Sequence, residues 1–177
     1  MSVYRFTVPG HSTRREFAVY IVVARRAHGC EFFLYVGKTG DNRSGCNPVI
    51  SRAGNHFSYN EIHSQVRNKV PDHQLYDYEY FYVTSDTYDP ENRKSKVDVI
   101  NEMERAANRA LQSRLPAALI ACLLNRYKGA AYIGGAESAA RSNLMTPERK
   151  RLITDLIDAV VDHIDSFNTE LRERRPR

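Results

Sequence analysis

The distribution of apolar and polar residues predicts three β-strands in the first half of the chain. Two mainly apolar runs, residues 18–24 and 32–38, are separated by a polar stretch that contains Gly29. Glycine tolerates the positive φ of a tight turn, so the two runs are predicted to pair as a hairpin. In a third run, residues 75–83, strict alternation places four tyrosines on one face of a strand. Packing under a helix is the common use of such a row, and stacking on bases is the alternative.

Spacings of three and four residues predict helices elsewhere. Residues 49–70 are polar but loosely periodic, which indicates two short helices with a break near residue 57. A clear apolar stripe predicts a helix over residues 97–115, and a short buried helix is expected over 117–124. A long helix is predicted over 147–172, with its stripe packed on its own domain or, alternatively, on a second subunit.

These elements predict an α/β (α+β) fold. Its centre is a small, mainly antiparallel three-stranded sheet flanked by helices, and a long helix lies at the C-terminus. A chain of 177 residues suffices for one well-buried domain, so residues 1–177 are expected to form a single domain.

Composition narrows the class of partner and the compartment. Lys and Arg number 26 against 21 Asp and Glu, for a formal net charge of +5, which favours a polyanionic partner. The three cysteines are widely spaced and include no Cys-x-x-Cys pair, which fits a reducing cytoplasm. The N-terminus lacks the apolar core of a signal peptide, and no apolar run approaches the roughly 20 residues of a bilayer span. We expect a cytoplasmic protein without a membrane partner.

Side chains suited to phosphodiester chemistry lie within the predicted hairpin and in the segment that follows it. Tyr20 and Tyr35 lie on its two strands, and Lys38 comes directly after the second. Arg52 and His56 are four residues apart, which places them on one side of a helix. Cations at a phosphate neutralise developing charge, and those of Lys38 and Arg52 are expected to lower the pKa of the tyrosines. The alternative is that each tyrosine is an ordinary core residue with a satisfied hydroxyl.

Two short motifs in these strands resemble those of the GIY-YIG nucleases. Residues 18–20 read Ala-Val-Tyr and residues 35–37 read Tyr-Val-Gly, and both tyrosines are kept, although alanine and valine replace the first glycine and the second isoleucine. The likeness is greatest to stand-alone type II restriction endonucleases of that family. It covers residues 17–125, which leaves 126–177 as a C-terminal helical elaboration.

The resemblance implies a role for each side chain. Tyr20 would be the general base toward the attacking water. Tyr35 and His56 would orient that water or relay its proton, Arg52 would hold the scissile phosphate, and Lys38 would contact phosphate. A solvated charge is the alternative for Lys38.

The resemblance also implies a single glutamate that holds one divalent cation, and two glutamates compete for that role. At about 100° per residue, Glu104 lies about 40° from Ile100 inside the apolar stripe, whereas Glu102 lies about 160° away on the charged face. A carboxylate in an apolar stripe is costly unless it is paired or binds a metal. We therefore predict Glu104 as the ligand of Mg²⁺, for which Mn²⁺ would substitute. A salt bridge to an arginine is the alternative.

An asparagine is the last polar residue that the resemblance implies. Asn125 follows two leucines and matches that context, and Asn108, four residues after Glu104, is its rival. We predict Asn125 as the site residue.

Together these features predict a Mg²⁺-dependent endonuclease that hydrolyses double-stranded DNA, with a site-specific type II restriction enzyme acting as a homodimer as the preferred role. A structure-specific repair, recombination or mobile-element nuclease is the alternative enzyme. A nucleic-acid-binding protein without catalysis is the alternative of another class.

Overall fold

The computed structural model describes residues 3, 5–27, 31–40, 46–91, 93–127 and 135–173, with the backbone alone for 135–138 and 168–173. The strands are β1 (Glu16–Arg26), β2 (Phe32–Lys38) and β3 (Tyr76–Thr87). The helices are α1 (Val49–Phe57), α2 (Arg93–Arg114), α3 (Ala117–Ile120), α4 (Gly135–Ser142) and α5 (Pro147–Glu173). Two short 3-10 turns, Gly10–Thr13 and His73–Leu75, precede β1 and β3.

The three strands form one antiparallel sheet in the order β2-β1-β3. The central strand, β1, is the most apolar, because it is paired on both edges and covered on both faces. The predicted fold class, a three-stranded antiparallel sheet flanked by helices with a long C-terminal helix, is confirmed.

Side chains alternate between the two faces of the sheet and separate the core into two parts. On one face, β1 contributes Phe17, Val19, Ile21 and Val23, which pack with apolar residues of α2 and α5. We call this the α2 face. On the other face, the tyrosines of β1, β2 and β3 pack with Phe57 of α1, and we call this the tyrosine face.

Helix α5 uses its apolar stripe inside this fold. It packs against α2 and β3, and its buried residues belong to the core of the α2 face: Ile153, Leu156, Ile157, Val160 and Ile164. The first of the two predicted uses of the stripe, packing on its own domain, is therefore the one observed.

Two of the helix predictions are only partly confirmed. Of the two short helices expected over residues 49–70, only the first forms, as α1, and 58–70 form a series of turns because their polar side chains bond to the local backbone. The predicted helix over 117–124 ends at Ile120, since the chain then runs beside β2, where Leu123 forms a parallel bridge with Leu34. Among the described residues, no helix combines the length and the apolar character needed to cross a membrane.

Candidate functional site

Tyr20 lies at the centre of the tyrosine face, and its side chain crosses over β2. It is fully buried, and its backbone is paired with that of Gly37. A Cβ atom at Gly37 would lie 2.4 Å from the hydroxyl oxygen and ring of Tyr20. Any larger residue would force the buried ring of Tyr20 to shift, so the glycine of the second motif makes room for the tyrosine of the first.

The hydroxyl of Tyr20 is hydrogen-bonded to His56 of α1. The distance from Oη to Nε2 is 2.7 Å, and His56 is fully buried. The ring of Tyr35 from β2 meets the imidazole edge-on, with 5.0 Å between ring centroids. Three residues of the predicted site thus meet in one cluster from three separate elements.

Burial sets the charge state of His56. Enclosure, which is the largest cause, and the positive charges of Arg52 and Lys69 together lower its pKa from 6.5 to about 4. The imidazole is therefore neutral at pH 7. A neutral imidazole accepts at one nitrogen only, so Tyr20 can donate its proton to Nε2.

The pKa of Tyr20 departs from the expectation. Burial raises it well above its usual value of 10.0, and the neighbouring Tyr35 and Tyr80 raise it too. Arg52 lowers the pKa through its charge and a hydrogen bond, as expected, but this effect is smaller than that of burial. Lys38 is not among the causes. The expectation of a lowered pKa is wrong. Burial destabilises the phenolate of Tyr20 by more than the positive charge of Arg52 stabilises it.

The lowered pKa of His56 predicts a loss of stability in acid. Between pH 6.5 and about 4 the unfolded chain binds a proton at His56 that the folded chain does not. The contribution of neutral His56 to the free energy of unfolding should therefore be fully present above pH 6.5. The free energy of unfolding should fall by about 3 kcal/mol as the pH drops through 4. Urea unfolding across this range measures the effect. His56→Asn is the control, and an equally steep decline in that variant would contradict the assignment.

A second group of predicted residues lies on the α2 face. Lys38, the last residue of β2, pairs with Val19 and so projects toward α2. Its Nζ lies 2.5 Å from Oε2 of Glu104, with the two side chains 17% and 25% exposed. The pair lines an open polar cleft of about 510 Å³ together with Asn101, Arg105, Tyr127 and Arg141.

The burial of the two competing glutamates is the reverse of the prediction. Glu102, expected on the charged face, has a side chain only 6% exposed, because Arg105 and Arg109 close over its carboxylate at 3.1 and 2.9 Å. Glu104 is the more exposed of the two. Glu104 is nevertheless the carboxylate that opens onto a cleft, and its ion pair is with a lysine of the sheet rather than with an arginine.

The two candidate asparagines bond to the main chain. The side-chain amide of Asn125 accepts from the amide of Val36 at 3.0 Å and donates to the carbonyl of Val36 at 2.6 Å. Asn108 donates to the carbonyl of Asn125 at 2.9 Å and accepts from the amide of Tyr127 at the same distance. Both side chains thus hold the chain after α3 along the outer edge of β2. The backbone groups on that edge of a sheet would otherwise be unpaired.

This arrangement predicts that Asn125→Ala is destabilising. The substitution leaves the buried amide and carbonyl of Val36 without their partners, so we expect a loss of about 2 kcal/mol in the free energy of unfolding. Chemical denaturation measures the loss. Asn68→Ala, which removes only exposed hydrogen bonds, to the carbonyl of Glu61 and from the guanidinium of Arg67, should cost much less. Equal stabilities of the two variants would contradict the bonding role of Asn125.

The predicted residues therefore form two groups rather than one. Tyr20, Tyr35 and His56 lie on the tyrosine face, and Lys38 with Glu104 lies on the α2 face. The end of β2 is the boundary between them, because Tyr35 and Lys38 are three residues apart on this edge strand and project to opposite sides. A ligand that crosses the end of β2 would contact both groups of residues.

Two residues beside the cluster were not predicted as part of it. The ring of Tyr80 lies 5.8 Å from that of Tyr20 and 6.5 Å from the imidazole of His56. Lys69 lies 5.7 Å from the ring centroid of Tyr35. The alternating tyrosines of β3 were the available signal for Tyr80. Within the row, Tyr78 packs beneath α1, where its ring centroid lies 4.5 Å from that of Phe57. Nothing in the sequence indicated Lys69.

The donor set of the cleft suits one kind of metal ion. Over the described ranges there is no group of three or more His, Cys, Asp and Glu residues arranged to hold a metal. One half-buried carboxylate with the nearby amide of Asn101 remains. Mg²⁺ is commonly bound by one or two carboxylates and retained waters, so Glu104 fits Mg²⁺ and does not fit a fully protein-bound ion.

Comparisons with known proteins give no family. No family model matches the chain. No curated protein and no solved structure gives a significant match either.

Proposed function

We propose that this protein is a metal-dependent endonuclease that hydrolyses phosphodiester bonds in double-stranded DNA. One observation carries the proposal: Tyr20, Tyr35 and His56, which the resemblance to GIY-YIG nucleases singles out, cluster from β1, β2 and α1. The charge of Arg52 acts on both Tyr20 and His56, so its guanidinium belongs to the same cluster.

The cationic residues would hold the phosphate. Arg52 offers a planar fork of donors that matches two phosphate oxygens and neutralises the charge that develops on them. Lys38 lies at the end of β2, where a phosphate crossing the edge strand would reach it. The excess of basic residues over the whole chain supports a polyanionic substrate.

Glu104 would hold the divalent cation. A bound Mg²⁺ supplies Lewis-acid stabilisation of the leaving oxygen and of the phosphate charge. Lys38 now neutralises Glu104, and in the complex this lysine would turn from the carboxylate toward the phosphate. The ion pair thus holds Lys38 at the cleft.

Tyr20 and His56 would move the proton of the attacking water. Because burial raises the pKa of Tyr20, a free phenolate is not available at neutral pH. Tyr20 can act as a base only if its own proton passes to Nε2 of the neutral His56, which already lies at hydrogen-bond distance. Tyr35, which retains 8% exposure, would orient the water.

The preferred biological role is that of a cytoplasmic type II restriction endonuclease acting as a homodimer. A substrate panel tests it: supercoiled plasmid, long linear DNA, branched DNA and RNA, each with Mg²⁺ or EDTA. Mg²⁺-dependent discrete fragments from plasmid and linear DNA support the restriction role. Cutting confined to branched or damaged substrates would replace it with the repair or recombination role.

A nucleic-acid-binding protein without catalysis is the second candidate. The observation that favours it is the closed state of the site, since Tyr20 and His56 are fully buried and Lys38 pairs with Glu104. It predicts salt-sensitive binding and no cutting of any substrate at stoichiometric protein concentration.

A further inference from the structure

The chain between α1 and β3 begins with a surface element attached to the tyrosine face. Residues 58–70, which we call the 58–70 loop, consist of turns. Val66 and Val70 are buried in the apolar part of the tyrosine face. The amide of Arg67 donates to the carbonyl of His56 at 3.2 Å. The loop is therefore anchored directly beside the candidate site.

Hydrogen bonds within the loop hold its shape. Ser64 is fully buried, and its hydroxyl donates to the carbonyl of Asn60 at 2.6 Å. The side-chain oxygen of Asn60 accepts from the amide of Ile62 at 3.0 Å, and Asn68 donates to the carbonyl of Glu61 at 2.9 Å. Because its polar side chains satisfy its own backbone, the loop is preorganised.

The tip of this preorganised loop presents two large apolar side chains to solvent. Tyr59 is 88% exposed and Ile62 is 76% exposed. They are three residues apart in the sequence, whereas exposed apolar residues on ordinary surfaces are scattered singly. Both side chains are thus available for contact with a partner.

One basic side chain of the loop contacts this apolar tip, and a second lies beside the candidate site. The guanidinium carbon of Arg67 lies 4.7 Å from the ring centroid of Tyr59, and Nζ of Lys69 lies 5.7 Å from the ring centroid of Tyr35. Glu61 is the single acidic residue in the loop. An exposed apolar tip in contact with an arginine is typical of proteins that insert a side chain between base steps, and it is less suited to an apolar protein surface.

We propose that the 58–70 loop is a DNA wedge, in which Tyr59 and Ile62 insert at a base step of the duplex while Arg67 and Lys69 contact the flanking phosphates. This inference rests on the proposed function, since it assigns the DNA contact of the same site. Insertion would kink the duplex beside His56. An unstacked base step deforms more easily than a stacked one, so a phosphate at that step could turn toward the end of β2.

The test uses the full chain and a short duplex with a fluorophore at each end, with Ca²⁺ in place of Mg²⁺ to hold back cleavage. Affinity, its dependence on salt, the end-to-end distance and, by sedimentation without DNA, self-association are measured for wild type, the double variant Tyr59→Ala/Ile62→Ala, and Arg67→Gln. Both tip residues are exposed, so the double variant should fold normally. Leu75→Ala removes a comparably apolar, 49% exposed side chain outside the loop and is the matched control.

We expect the double variant to bind about 10- to 100-fold more weakly with an unchanged salt slope and to leave the duplex unbent. Arg67→Gln should reduce the salt slope by about 1, and Leu75→Ala should match wild type. A double variant that binds and bends DNA like wild type overturns the wedge while leaving the nuclease proposal intact. A double variant that loses self-association instead, with DNA affinity unchanged, overturns the wedge in favour of a protein interface. Absence of DNA binding by wild type overturns the proposed function and the wedge with it.

Discussion

Replacement of Glu104 by glutamine should abolish DNA cleavage while leaving DNA binding intact. Glutamine keeps the size of the side chain but removes the charge that holds a divalent cation in the cleft, so we expect single-turnover cleavage to fall about 1,000-fold or more. The variant should bind duplex DNA as tightly as wild type or more tightly, because one negative charge is removed and Lys38 is released from its ion pair.

A matched variant separates this effect from a general loss of charge. Glu148→Gln makes the same chemical change in the first turn of α5, at an exposed position away from the cleft, and should cleave like wild type. Thermal unfolding of both variants checks the fold. Full activity of Glu104→Gln would remove Glu104 as the metal ligand.

Tyr20→Phe and His56→Asn should each lower cleavage by about 100-fold or more, and the double variant should be no slower than the worse single variant. The two side chains share one proton across a 2.7 Å hydrogen bond, so removal of either partner removes the whole relay. A double-mutant cycle on cleavage rates under saturating DNA measures the coupling.

Tyr80→Phe is the control for this cycle. Its ring also packs against Tyr20 and His56, but its buried hydroxyl has no hydrogen-bond partner among the described residues, so its removal should change the rate little. Additive losses at Tyr20 and His56 would show that the two residues act independently and would refute the relay.

The sheet was predictable because strand signals are local. The apolar run of β1 and the alternation of β3 follow from period-two patterning, and a central strand covered on both faces reads as continuously apolar. The long helix α5 was equally predictable from its stripe. The extent of helix between residues 49 and 70 was not, because the side chains of Ser64 and Asn60 compete for the backbone bonds that a helix would need.

The proximity of Tyr20, Tyr35 and His56 could be predicted from the sequence, but the geometry of the candidate site could not. Spacing placed Arg52 with His56 on one helical side, yet the division of the residues between two faces depends on the strand register, which pairs Lys38 with Val19. The burial of Glu102 depends on two arginines that fold over it, and helical angle alone does not report such covering. The raised pKa of Tyr20 is likewise a result of tertiary packing, which outweighs the nearby charge.

Conversion of supercoiled plasmid by wild type and Glu104→Gln, purified in parallel and compared with Mg²⁺ and with EDTA, decides whether the protein is a nuclease that depends on Glu104. We expect nicked or linear product from wild type with Mg²⁺ alone, and none from the variant under either condition. Equal conversion by the two proteins, or none by wild type at stoichiometric concentration, would contradict the assignment of this protein as a metal-dependent nuclease.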